Sequence, residues 1–110
     1  MVAGLIDGHG GESFFRMVKE TPSSQKLLEE ISRVPRNEMK PDQWEVQILC
    51  RILSKHTVII TMNLCAPDLI RGMHMDHTKT FDAALARAFE IKGKSASVSL
   101  IPNGVSVIVL

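Results

Sequence analysis

Tyrosine is absent and other aromatic side chains are scarce: four phenylalanines and one tryptophan in 110 residues. Single-stranded nucleic acid is bound on flat rings, so a base-stacking platform has little to be built from. An excess of one charge is also missing, with 13 basic and 12 acidic side chains giving a net charge of +1. No basic run or stripe accompanies that balance, which argues against nucleic acid as a partner. No apolar run approaches the ~20 residues that a membrane helix requires, so no membrane partner is expected. The apolar opening meets Asp7 before a secretory signal core can form. Two cysteines, Cys50 and Cys65, are too few for a disulfide scaffold and fit a reducing, cytoplasmic setting.

What is present is the mix of a globular protein, 45% hydrophobic and 23% charged. The length suits a single domain over residues 1–110. Residues 1–6 are apolar without helical spacing and read as the end of a buried strand, which runs into the glycine loop Asp7-Gly8-His9-Gly10-Gly11. Residues 12–20 read as a helix with Phe14, Phe15 and Val18 on one side, stopped by Thr21-Pro22. A second helix starts at Ser23 or Ser24, turns Leu27, Leu28 and Ile31 inward, and closes before Pro35.

In the third helix Pro41 takes the first position and Asp42 follows. Trp44, Ile48 and Ile52 form its apolar stripe, with Leu49 and Leu53 beside them, and Gln43, Gln47, Arg51 and Lys55 form its wet side. Residues 57–62 are rich in β-branched side chains and predict a central strand covered on both faces. A helical turn follows at residues 67–71, ended by Gly72, and residues 73–77 read as a polar loop. Phe81, Ala84, Leu85 and Ala88 repeat at helical spacing within residues 80–91, closed by Gly93. Residues 97–101 and 105–110 flank Pro102-Asn103-Gly104 and predict a terminal hairpin. The fold class is therefore α/β: a small mixed β-sheet of about four strands, ending in an antiparallel hairpin, covered by about four helices.

Three places carry possible chemistry. Three glycines between a strand and a helix let backbone N–H groups approach an anion, though the same residues also make an ordinary tight turn. Trp44 on an apolar stripe reads as core, or as a ring open to a pocket near the helix start. Cys65, His74, Met75 and His77 offer soft-metal ligands, but without zinc-type spacing, and scattered histidines in a polar loop are the better account of them. His56 sits at a helix end where a cation is welcome, and Cys50 lies among apolar neighbours as an inert thiol. No nucleophile–base pair stands out, so no catalytic and no metal-binding residue is assigned.

Taken together, three segments resemble one family. Asp7-Gly8-His9-Gly10-Gly11-Glu12-Ser13-Phe14, Pro41-Asp42-Gln43-Trp44-Glu45-Val46-Gln47 and Ile101-Pro102-Asn103-Gly104-Val105 are similar, in order and separation, to motifs in the C-terminal domain of the nickel-dependent lactate racemases. The resemblance implies a two-domain enzyme with its active site in the cleft between domains. It implies an N-terminal catalytic domain as partner, holding a nickel-pincer pyridinium mononucleotide through a lysine and supplying two catalytic histidines. It implies racemisation or epimerisation of a small 2-hydroxy acid by hydride transfer to that cofactor and back. Trp44 would then face the cleft with Asp42, Gln43 and the loop Gly8, His9, Gly10 and Gly11. None of His9, His56, His74 or His77 matches a catalytic histidine of the family, so the domain by itself is expected to hold no cofactor and to be inactive. The alternative is a stand-alone α/β module binding a small anion on the loop 8–11.

Overall fold

The computed structural model describes residues 11–104. The strand expected at residues 1–6, most of the glycine loop, and the last strand of the hairpin lie outside that range. Five helices and two short strands follow in order: α1 (Glu12–Lys19), α2 (Ser24–Ser32), α3 (Gln43–Leu53), β1 (Ile59–Thr61), α4 (Pro67–Gly72), β2 (Asp76–Thr78) and α5 (Phe81–Lys92), with a 3₁₀ turn at Arg36–Glu38. Their signals are local. The Ser23 hydroxyl accepts from the Lys26 N–H at 3.2 Å and caps α2. Thr80 does the same for α5 through the Ala83 N–H. Gly93 ends α5 at φ 93°, a conformation that favours glycine. Pro67 opens α4, where its missing N–H costs nothing.

β1 and β2 pair in parallel, with Ile60 opposite His77 and Thr61 opposite Thr78, and α4 makes the crossover between them. The Thr61 and Thr78 hydroxyls hydrogen-bond across the pair at 3.0 Å. α5 packs along both strands, while α2 lies against α3 and α1 against α3. One apolar cluster joins the two groups of elements: Val18, Leu27, Ile31, Val46, Cys50, Ile60, Met62, Ile70 and Met73. The structure is thus an α/β fold built on a small sheet.

Three expectations need correction. The third helix begins at Gln43, not Pro41, because Asp42 sits at φ 64°, outside the helical region. Its rotation also differs from the expected one. Val46 and Cys50 are fully buried, whereas Trp44, Ile48 and Ile52 are 58%, 49% and 43% exposed. Gln43, expected on the wet side, is buried. Two sets of apolar residues at helical spacing compete on this helix, and Val46, Leu49, Cys50 and Leu53 fit the tighter space against α1 and α2. The stretch expected as a polar loop at residues 73–77 runs into strand β2. Residues 102–104 form the expected turn, and the strand expected to pair with 97–101, at residues 105–110, lies outside the described residues.

Candidate functional site

The N-termini of α1 and α3 lie side by side. Gly11 is the residue before α1, with extended backbone at φ −138°, and its carbonyl accepts from the Phe15 N–H at 3.0 Å. Asp42 holds the equivalent place before α3. A Cβ placed on Gly11 would lie 3.9 Å from Asp42 Oδ2, so the end of the glycine loop and the start of the Asp42-Gln43-Trp44 segment lie close together. Aspartate tolerates the left-handed backbone better than most residues. Its side chain makes no capping hydrogen bond to α3 and is turned toward Gly11.

Gln43 is fastened into the turn before α3. Its Oε1 accepts from the Lys40 N–H at 3.0 Å, and its own N–H donates to the Lys40 carbonyl at 3.3 Å. The amide Nε2 is buried and has no hydrogen-bond partner among the described residues. Trp44 follows immediately and presents its indole outward. Sequence reading placed Gln43 beside Trp44 but carried no signal for this unsatisfied amide. The structure therefore brings together Gly11, Asp42, Gln43 and Trp44 around two helix N-termini, which supply partial positive charge. Gly8, His9 and Gly10 fall outside the described residues.

The soft-metal set is not assembled. The His74 Nε2 lies 3.0 Å from the Val18 carbonyl and the His77 Nε2 lies 2.9 Å from the Met62 carbonyl. A carbonyl only accepts, so both rings carry their hydrogen on Nε2 and act as struts. Val18 is near the C-terminal end of α1, where carbonyls lack helical partners, and His74 satisfies one of them. His74 adopts φ 60° to do so. Among the described residues no group of three or more histidine, cysteine or acidic side chains could hold a metal ion. Burial pushes the Cys50 thiol up from its ordinary pKa.

A separate concavity of about 470 Å³ opens between the start of α2 and the end of α3, lined by Pro22, Ser23, Ser24, Gln25, Leu53, Ser54 and His74. It lies at the opposite end of α3 from Asp42, roughly 16 Å along the axis.

The sequence model of the lactate racemase C-terminal domain matches residues 1–109. The chain belongs to that family. Lactate racemase from Lactiplantibacillus plantarum is 44% identical over 109 residues, which are 99% of this chain and 26% of the relative. Lactate racemase from Thermoanaerobacterium thermosaccharolyticum is 40% identical over the same length and coverage. The structure of the lactate racemase apoprotein from the latter organism superposes with a TM-score of 0.90 at 39% identity, covering 97% of this chain and 26% of that one. The chain thus spans about a quarter of its curated relatives' length. As a lactate racemase C-terminal domain it contains no described helix long and apolar enough to cross a membrane.

Proposed function

We propose that this chain forms one wall of the reaction cleft of a lactate-racemase-like enzyme, a cytoplasmic isomerase of a small 2-hydroxy acid. An N-terminal catalytic domain of the same enzyme supplies the opposite wall. The observation that carries this reading is the closeness of Asp42, the residue before Gln43 and the exposed Trp44, to Gly11 at the end of the glycine loop, which draws the resemblance motifs of two distant segments together. A nickel-pincer pyridinium mononucleotide, when bound, would accept and return the substrate's α-hydride. On the resemblance, the residues that hold that group belong to the N-terminal domain.

What this chain's own residues contribute is binding and exclusion of water. Trp44 offers a broad apolar face with one N–H donor, suited to closing over a small carboxylate-bearing substrate. Gln43 is buried and its Oε1 accepts from the Lys40 N–H, which fastens the turn from which Trp44 projects. Covering the cleft removes water and strengthens every charge interaction within it.

Two assays test the reading. The 110-residue chain alone is expected to racemise neither enantiomer of lactate, and turnover by it would refute the proposal. Grafted in place of the matching quarter of the L. plantarum enzyme, it is expected to support racemisation. Trp44→Ala in the graft should lower kcat/KM by roughly 10- to 100-fold, the scale of a lost positioning contact. A graft that folds and binds its cofactor yet stays inert would defeat the assignment.

A further inference from the structure

α3 has two apolar faces, and only one is used. With 100° between successive residues, Val46, Leu49, Cys50 and Leu53 point to the core, while Trp44, Ile48 and Ile52 fall within a single arc on the opposite side. Arg51 and Lys55 lie in the same arc, and neither makes an ion pair with another described residue. Exposing three large apolar side chains in line marks an interaction surface.

We infer that this outer face of α3 is where the N-terminal part of a lactate racemase polypeptide docks, through an apolar surface edged with carboxylates that meet Arg51 and Lys55. The inference rests on the reading under Proposed function. Two observations select this occupant. The chain is matched as a C-terminal domain and spans 26% of its relatives, so most of such a polypeptide lies elsewhere. The face also starts at Trp44, so it continues directly from the cleft. A second copy of the chain is a poorer occupant on grounds of area. Specific association of separate molecules needs about 800 Å² on each partner, more than three side chains present. A covalently attached partner needs far less, because the tether holds it at roughly millimolar effective concentration.

The test compares hydrogen exchange of residues 43–55 in the isolated chain and in the L. plantarum graft. Docking predicts at least tenfold slower exchange along α3 in the graft. Ile48→Asp with Ile52→Asp should return exchange to the isolated level there, while leaving the melting temperature of the isolated chain nearly unchanged. An active graft whose α3 exchanges as in the isolated chain overturns the docking face and leaves the racemase reading standing. A graft that is neither active nor protected overturns both. Sedimentation showing a dimer of the isolated chain that Ile48→Asp dissolves, with no protection in the graft, assigns the face to a second copy and overturns the inference.

Discussion

The two histidines of the segment after α4 act as hydrogen-bond donors to backbone, and their removal should be felt in stability. His74→Ala strands the Val18 carbonyl and should cost about 1–3 kcal/mol in urea unfolding, with an unchanged slope. If the ring were merely a solvated surface group, the cost would stay under about 0.5 kcal/mol. Cys50 makes a second residue-level prediction. Its folded pKa is raised by burial, so its stabilising contribution is complete below the unfolded thiol's pKa. As pH climbs past that value the unfolded chain loses a proton that the folded chain keeps. Stability should therefore decline there by at most about 1.4 kcal/mol per pH unit until the folded thiol ionises. Cys50→Ala should flatten that part of the pH–stability curve, and a thiol reagent at pH 8 should label Cys65 well before Cys50.

At the scale of the helix and strand, α3 supplies the sharpest test. Val46→Ala empties a fully enclosed position on α3 and should cost about 1–3 kcal/mol, whereas Ile48→Ala on the exposed arc should change stability by about 0.5 kcal/mol or less. Equal losses at both positions would mean that the helix is turned the other way. Asp42→Val should destabilise by about 1–3 kcal/mol, since a β-branched residue resists φ 64°. Helix ends were the legible part of the sequence: Ser23, Thr80, Pro67 and Gly93 act through their own backbone neighbours, and each performs the capping or stopping task its chemistry suggests. The rotation of α3 was not legible. Both apolar sets keep helical spacing, and only the shape of the space beside α1 and α2 decides between them. β2 was hidden because Asp76, His77 and Thr78 lack the apolar character expected of a strand, and its partner β1 defines it from outside. The meeting of Gly11 with Asp42 was readable only through the resemblance, since no periodicity links residues so far apart in the chain.

For the whole molecule, the described core unites the helices of the first half with the β1–α4–β2 unit, and Trp44, proposed to face the cleft, stands apart from it. Changes at Trp44 should thus spare folding and act on turnover in a complete enzyme, while changes at Ile70 or Val18 should do the reverse. Circular dichroism melts set beside kcat/KM of the graft would separate the two classes, and a Trp44 variant that melts early would contradict the division. The strut from His74 to Val18 joins positions 56 residues apart. Closing so wide a loop must wait until both ends have found each other, long after individual helical turns have appeared. The imidazole is consequently a clock for the final moment of assembly: in refolding followed by pulse-labelled NMR, its native resonance should arrive last.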